Sequence, residues 1–290
     1  MLIGTLVYGF VNSSILALLA MGFNLTFGIS GVANFAYGAV YVFSGFLAWI
    51  LLTPLGLPYL ICVPASVLCA ALLGLCMYYV VILRVKGLPL SEVMATFGLG
   101  LAIMELFRFF GFVGFRYTLP VFIDGSLSVA GVYVGYQRVF IALIAVGLTG
   151  FLYLFTRHSK LGLAFRAIAQ DERTALTFGI DSDRIGGFSM AFGSALAAVA
   201  AIVILPLGTI AVEEGYNVLI NALAVCIVGG LGSTVGILVA SVLIGFAQTF
   251  TANYLEPHWM MLVSLIAIAL VLVVKPSGLF GRQKELEERI

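Results

Sequence analysis

The chain has 290 residues, of which 62% are hydrophobic and only 9% charged, with a net charge of +1 and a mean hydropathy of +1.18. Soluble domains carry about 25% charged residues, so this composition excludes a globular protein with a polar surface. The small net charge indicates no strongly acidic partner, and no nucleic acid in particular.

Hydrophobic runs long enough to cross a ~30 Å hydrocarbon layer recur along the chain. Because lipid offers the backbone no hydrogen-bond partners, these runs must be helical. The predicted fold class is therefore an all-α polytopic membrane protein with eight or nine transmembrane segments, some of them short enough to be half-helices. The runs cover residues 2–28, 33–52, 59–83, 90–113, 136–156, 185–206, 216–229, 234–252 and 259–275.

The orientation of these segments follows from the basic loops. Arg84 is the first charged residue of the chain, and further basic clusters lie at 157–166 and 275–284. Because short cytoplasmic loops carry an excess of Lys and Arg, we place all three clusters in the cytoplasm. We expect one transmembrane domain over 1–275 and a short cytoplasmic tail over 276–290. No charge marks the N-terminus, so its side stays open.

Two glycine-rich stretches interrupt the helical pattern, "FGISGVANFAYG" at 27–38 and "VGGLGSTVG" at 228–236. Such breaks in the two halves of a transporter are typical of an inverted repeat around a central pathway. The alternative is that both are tight turns whose glycines serve only helix packing. Broken helices can aim amide dipoles at a substrate carboxylate, which makes these candidate pathway residues: Ser30, Gly31, Asn34 and Tyr37, opposed by Gly229, Gly230, Gly232 and Ser233.

Residues 157–184 hold nine of the 27 charged residues, which makes this segment the main cytoplasmic loop. Ser159 is placed to cap a first helix, and Asp171 to cap a second helix that has Glu172 in its first turn. Gly179 supplies a left-handed stop. A helix of about seven residues is marginal alone in water. It therefore packs either on its own membrane domain or in a groove of a separate soluble protein.

Three stretches carry a resemblance to a known family. "GLAFRAIAQDERTALTFGID" at 162–181 resembles the coupling loop of permease subunits of ABC importers. "LALLAMGFNLTFGISGVANFAYGAVYVFSG" at 16–45 is similar to the N-terminal signature of branched-chain amino-acid importer permeases. "NALAVCIVGGLGSTVGILVASVLIGFAQ" and "VKPSGLFGR" are similar to the C-terminal half of that family. The motifs occur in the family's order over nearly the whole chain.

The resemblance implies a permease of the bacterial inner membrane that pairs with a second, related permease. Two cytoplasmic ATPases and a periplasmic binding protein complete the implied assembly. This chain itself needs no cofactor, because ATP and Mg²⁺ are bound by the ATPases, and it has no "GxxxxGK[ST]" phosphate loop. The residues that match the coupling motif are Gly162, Arg166, Ala167, Gln170, Asp171, Ala175, Gly179 and Ile180.

One departure from the family pattern bears on the substrate. The family usually has "NFAHGE" where this chain has "NFAYGA", so Tyr37 and Ala39 replace a titratable imidazole and a carboxylate. A more apolar site puts the usual branched-chain substrate in doubt. Aliphatic amino acids, aromatic amino acids and other small organic compounds stay open as substrates.

Two rival functions remain to be weighed. A secondary transporter driven by an ion gradient needs acids buried within spans, and only Glu105 comes near that, three residues from Arg108 and placed to pair with it. A membrane enzyme needs a cluster of catalytic side chains that the sequence does not offer. The histidines and cysteines lack the spacing of a metal site. The sequence therefore favours a non-catalytic importer subunit.

Overall fold

A computed structural model describes residues 2–31, 33–113, 117–129 and 131–281 of the chain. Seven helices of this described part are long and apolar enough to cross a membrane, and two further apolar helices are shorter, so the nine segments of the prediction are confirmed. The first half contains α1 (Leu2–Ser30), α2 (Tyr37–Leu52), α3 (Tyr59–Met77), α4 (Leu83–Val85) and α5 (Pro89–Phe109).

The second half has a similar order of helices, with two short helices inserted before α9 (Ser182–Ile204). A small antiparallel hairpin, which the sequence did not predict, precedes it and pairs β1 (Ser126–Val129) with β2 (Val132–Gly135). The helices that follow are α6 (Tyr136–His158), α7 (Lys160–Gln170), α8 (Glu172–Thr177), α9 (Ser182–Ile204), α10 (Glu214–Gly229), α11 (Thr234–Tyr254) and α12 (Met260–Val274).

One turn of the third span departs from α-helical geometry. Residues Tyr78–Ile82 form a π-helical turn between α3 and α4, and this wide turn packs its Tyr78 ring against Gly186 of α9. A π-helical turn contains one residue more than the α-helical turn it replaces, and such turns are frequent at functional sites. Nothing in the apolar pattern of 59–83 indicated this feature.

The helix contacts follow the two-fold pattern that an inverted repeat requires. The packing of α1 on α11 is matched by that of α9 on α3, and the packing of α10 on α1 is matched by that of α2 on α9. The two halves meet where α1 contacts α9 and α2 contacts α10. The four helices α1, α2, α3 and α5 therefore correspond to α9, α10, α11 and α12, and the short α2 corresponds to the short α10.

This correspondence differs from the one expected from the glycine stretches. The break at 31–36 lies between α1 and α2, and its counterpart by helix order is the connection at 205–213 between α9 and α10. The turn at 230–233 follows α10 and therefore corresponds to the turn at 53–58. Glycine content did not identify the true counterpart of the break at 31–36, because the connection at 205–213 contains a single glycine, Gly208.

Glycines set the distance between helices in the core. A Cβ placed on Gly38 of α2 would overlap the carbonyl of Gly215 on α10. Gly22 of α1 and Gly193 of α9 meet in the same way, and the ring of Tyr37 covers that contact. Small residues allow backbones to approach closely, which drives helix association where lipid removes the hydrophobic difference between inside and outside.

The chain stays packed beyond the last helix. The amides of Leu279 and Phe280 donate to the carbonyls of Val228 (2.9 Å) and Gly229 (3.0 Å) at the end of α10. The packed domain thus reaches residue 281, past the predicted limit at 275. Residues 282–290 of the predicted tail lie outside the described part of the chain.

We predict that Gly38→Ala destabilises the protein by about 1–3 kcal/mol, because the added methyl group forces α2 and α10 apart. The measurement is the thermal midpoint of the protein in mild detergent, which should fall by about 5 °C. Gly147→Ala is the matched control, since Gly147 lies in α6 with open space around it. Equal midpoints for the two variants would contradict the close contact between α2 and α10.

Candidate functional site

The loop at 157–184 forms the two short helices that the sequence predicted. Ser159 caps α7 by accepting a hydrogen bond from the amide of Gly162 (2.8 Å). Asp171 accepts from the amide (3.3 Å) and the hydroxyl (2.6 Å) of Thr174 at the start of α8. Gly179 ends the second helix with φ +79°. The predicted caps and the predicted stop are confirmed, and α8 is one residue shorter than expected.

The inner face of α7 and α8 packs on the chain's own membrane domain. Phe165, Ile168 and Ala175 are buried together with Ile29 of α1 and Ile185 of α9. The partly buried side chains around this cluster include two predicted coupling residues, Ala167 and Ile180. Gly162 is required by the tight corner after α6, since a Cβ there would overlap the backbone of 155–156. This packing gives a marginal helix its support.

The outer face of the same two helices remains uncovered. The predicted coupling residues Arg166, Gln170, Asp171 and Gly179 are exposed. Three large apolar side chains lie among them, Leu163, Leu176 and Phe178, and Phe178 is 81% exposed. Packing on the chain's own domain, one of the two alternatives left by the sequence, is therefore present, and docking on a separate soluble protein stays a prediction. The loop folds on its own domain through one face and presents a mixed polar and apolar surface on the other.

A charged cluster that sequence reasoning missed fastens this loop to the third span. Lys86, directly after α4, donates from Nζ to Glu172 Oε1 (3.0 Å), to Asp183 Oδ1 (2.6 Å) and to Ser182 Oγ (2.7 Å). Ser182 in turn donates to Glu172. Lys86 lies 86 to 97 positions before its three partners in the chain, so no local spacing could indicate this contact. We call Lys86, Glu172, Ser182 and Asp183 the loop anchor.

The charge of Lys86 is stabilised within the loop anchor. Partial burial disfavours the ammonium form, but the hydrogen bonds to Asp183 and Glu172 outweigh burial and raise the pKa of Lys86 from 10.5 to about 12. A raised lysine pKa stabilises the folded state at any pH below the unfolded value of about 10.4, and that contribution is lost only as the pH rises through about 12. The loop anchor is therefore intact throughout the physiological range.

The first group of predicted pathway residues closes the corner between α1 and α2. Gly31 leaves α1 with φ +70°, and Ser30 donates back to the carbonyl of Thr26 (2.7 Å). Asn34 is buried, and its Oδ1 accepts from the amide of Ala36 (3.1 Å) before α2 begins. Tyr37 is fully buried edge-to-face with Phe23, and its hydroxyl has no partner among the described residues.

The second group forms the turn from α10 to α11. Gly229 is buried against Gly236 of α11, and Gly230 against residues 280–281 that follow α12. Ser233 caps α11 by accepting from the amide of Gly236 (3.1 Å). Gly232 has φ +83°, and its amide donates to Asn24 Oδ1 of α1 (2.7 Å). This contact brings the two groups to the same end of the bundle. Packing accounts for Gly229 and Gly230, and the pathway role of both groups stays a prediction.

Arg108, near the end of α5, is the centre of a small ion-pair network. Arg108 pairs with Glu105 on its own helix and also with Glu213 before α10 (3.0 Å). The hydrogen bond that Glu213 accepts from its own backbone amide, together with the one from Arg108, lowers the pKa of this carboxyl. Glu92 accepts from the amide of Gly87 (2.8 Å) at the start of α5, as a helix-start acid. Within the described ranges, no three metal-ligating side chains cluster.

Nine apolar helices of the described residues, packed in a two-fold pattern with a pair of short helices between α6 and α9, define a multi-pass membrane protein. Comparison with known proteins identifies the family. Residues 5–272 match the family described as the branched-chain amino acid transport system permease component, and the chain belongs to that family.

Two curated relatives match over nearly their full length, and a third matches over about two thirds of its own. The permease protein BraD of the high-affinity branched-chain amino acid transport system of Pseudomonas aeruginosa is 31% identical over 96% of this chain and 95% of its own. The corresponding LivH of Escherichia coli K12 is 28% identical over 94% of each chain. LivM of the same organism is 24% identical, over 90% of this chain and 67% of its own.

One solved structure supports the fold alone. The chain matches "PsaBC from Streptococcus pneumoniae in complex with Fab" with a TM-score of 0.53 over 94% of its own length and 92% of that chain. The two sequences are only 12% identical. The arrangement of helices is therefore shared with a protein of very different sequence.

We predict that Lys86→Met frees the loop helices from the third span. Amide hydrogen exchange over residues 171–184, measured in detergent, should become about 5- to 30-fold faster. This corresponds to the roughly 1–2 kcal/mol that two partly exposed ion pairs contribute. In the native protein the opening constant should not change between pH 7 and pH 9, because Lys86 stays charged there.

Lys160→Met is the control, because Lys160 lies in the same loop, is exposed and makes no ion pair within the described part of the chain. Equal exchange in the two variants would show that the loop anchor does not hold the loop.

Proposed function

We propose that this chain is a transmembrane subunit of an ATP-binding-cassette importer in the bacterial inner membrane. The observation that carries the proposal is the loop at 157–184, which is anchored to the membrane domain on one face and uncovered on the other. Branched-chain permease relatives over the whole chain support the transport role. In this proposal the chain is a non-catalytic subunit and forms no covalent bond with the substrate.

The uncovered face suits a soluble partner. Arg166, Gln170 and Asp171 offer charge and hydrogen bonds, and the exposed Leu176 and Phe178 offer apolar anchors. Protein interfaces typically combine such an apolar centre with a polar rim. In the proposed assembly each permease loop docks on one of two cytoplasmic ATPases, which bind ATP and Mg²⁺.

The proposed mechanism is alternating access. ATP binding closes the ATPase pair and draws the loops together. Through the inner face of α7 and α8 and through the loop anchor, that motion reaches α1, α3 and α9. The permease then exposes its cavity to a periplasmic binding protein that carries the substrate. Each ligand shifts the equilibrium between two states only by its differential affinity for them.

The second permease of the assembly is proposed to be a paralogue. The chain is similar to LivH and, more weakly, to LivM, two permease proteins whose names place them in one transport system. A pair of related chains accounts for both similarities. For the substrate we propose branched-chain or other hydrophobic amino acids. Tyr37 and Ala39 are fully buried in this structure. They therefore influence substrate selection through helix packing, and they contact the substrate only in a state in which the helices separate.

The structure offers little to the rival proposal of an ion-gradient-driven transporter. Glu105 is exposed and paired with Arg108, and no other acid of the described residues lies in the middle of a span. A proton-coupling acid would be expected to face the interior of the bundle.

We predict that an ATPase copurifies with the native chain in mild detergent, and that Arg166→Glu and Phe178→Asp each reduce its recovery at least about tenfold, because an interfacial anchor is lost or reversed in charge. Quantitative mass spectrometry provides the measurement. Both side chains are exposed, so the membrane domain should remain monodisperse.

Arg138→Glu is the charge-matched control, because Arg138 stacks on Tyr8 at the opposite end of the bundle. Vesicles that hold the purified assembly should take up substrate only with internal ATP. Uptake driven by a proton gradient without ATP, together with no copurified ATPase, would replace this proposal by the secondary transporter.

A further inference from the structure

A chain of side-chain hydrogen bonds crosses four helices between the middle and the outer end of the bundle. Asn12 of α1 donates to the carbonyl of Gly245 (3.2 Å) and to Gln248 Oε1 (3.0 Å), both on α11. Gln248 Nε2 donates to Asn221 Oδ1 of α10 (3.0 Å) and to Ser264 Oγ of α12 (2.7 Å). Ser264 donates to the same Asn221 oxygen (2.9 Å).

The contacts fix which way each amide points. The carbonyl of Gly245 can only accept, so the group of Asn12 that faces it is the NH₂ group. That NH₂ also faces Gln248, which therefore presents Oε1 to Asn12 and Nε2 to the next residue. Asn221 accordingly accepts through Oδ1 from both Gln248 and Ser264. Its Nδ2, with two N–H donors, is left at the end of the network.

The free end of Asn221 lies on a polar stripe. Glu214, Asn217 and Asn221 follow one another at positions i, i+3 and i+7 of α10, within about 60° around the helix. Glu214 and Asn217 are exposed, and Asn221 is half-buried. Asn217 Nδ2 contacts Glu214 Oε2 at 3.5 Å, whereas no acceptor of the described residues lies within hydrogen-bond distance of Asn221 Nδ2.

Lipid is an unfavourable neighbour for such a stripe. Polar side chains within membrane spans almost always face the bundle interior or a water-filled cavity, because an unpaired donor in hydrocarbon is costly. The network holds Asn221 through its Oδ1, so its Nδ2 donors face away from Gln248 and Ser264. Two donors to Oδ1 also polarise the amide and strengthen its N–H groups as hydrogen-bond donors.

We propose that Glu214, Asn217 and Asn221 line the outer half of the translocation pathway, and that Asn221 Nδ2 donates to the carboxylate of the passing amino acid. The negative Glu214 at the outer end of the stripe attracts the ammonium group of the same zwitterion. This inference rests on the proposed importer function for the identity of the solute, whereas the wetting of the stripe does not depend on it.

Thiol labelling tests the wetting of the stripe. Asn217→Cys and Asn221→Cys are made in a chain whose four native cysteines are replaced by alanine, and a membrane-impermeant methanethiosulfonate is applied from outside. Both should react at least about tenfold faster than the control Leu143→Cys, since a thiolate forms only in water. Leu143 is 66% exposed on α6 and belongs to no polar stripe.

Either of two labelling results overturns the proposal. Reaction of both cysteines at the rate of Leu143→Cys shows that the stripe faces lipid or a tightly packed partner. Reaction of Asn217→Cys alone shows that water reaches Asn217 but does not extend along α10 to Asn221. Because Asn217 is exposed and outside the amide network, its variant keeps the test decisive even where Asn221→Cys disturbs folding.

Transport measurements test the donor itself. Asn221→Asp keeps the oxygen that accepts from Gln248 and Ser264 but replaces the free NH₂ with a second oxygen, so the helix packing is preserved. With leucine and phenylalanine as probes, ATP-driven uptake by the assembly in vesicles should fall at least about tenfold. Asn217→Asp, which adds the same charge to the exposed part of the stripe, should have a smaller effect.

Native uptake rates in Asn221→Asp would overturn the role of the donor. If the native assembly takes up neither probe with ATP, the proposed importer function fails in that form. Thiol labelling still decides in that case whether the stripe is a water-lined track, so the two failures are distinguishable.

Discussion

Lipid gives the backbone and the polar side chains nothing to bond with, and this constraint shapes every unusual feature of the chain. Helices satisfy their own backbone groups, so the bundle is almost entirely helical. Where the chain breaks between α1 and α2, Asn34 and the residues around it bond with one another inside the protein. Buried amides behave likewise, and Gln248 donates twice from Nε2 and accepts once at Oε1.

The same constraint explains the use of glycine. Helices in lipid gain little from hiding apolar surface, so they associate through close backbone contact and buried hydrogen bonds. Gly38 against Gly215, and Gly22 against Gly193, join the two halves of the repeat at its centre. The outer faces of α6 and α12 are left apolar and uncovered by the chain, as a protein surrounded by lipid and a partner permits.

Sequence patterns predicted what depends on short-range physics. The apolar runs located all nine apolar helices, seven of them long enough to span a membrane. The caps Ser159 and Asp171 and the stop Gly179 located the loop helices. Contacts between residues distant in the chain could not be predicted from such local patterns. Lys86 meets Glu172 and Asp183 only because two spans lie side by side, and the pairing of the repeat depends on contacts that glycine content does not encode. The polar stripe of α10 was readable from its spacing, but the orientation of Asn221 required the structure.

The π-helical turn at Tyr78–Ile82 sets how the end of the third span is rotated relative to its beginning. Its wide turn holds one extra residue, and each residue of an α-helix turns the chain by about 100°. Converting that turn to α-helix would rotate α4 about its axis by the same angle and swing Lys86 away from Glu172 and Asp183. In such a conversion, rotation of this helix end and release of the loop at 157–184 would occur together, about the contact between Tyr78 and Gly186.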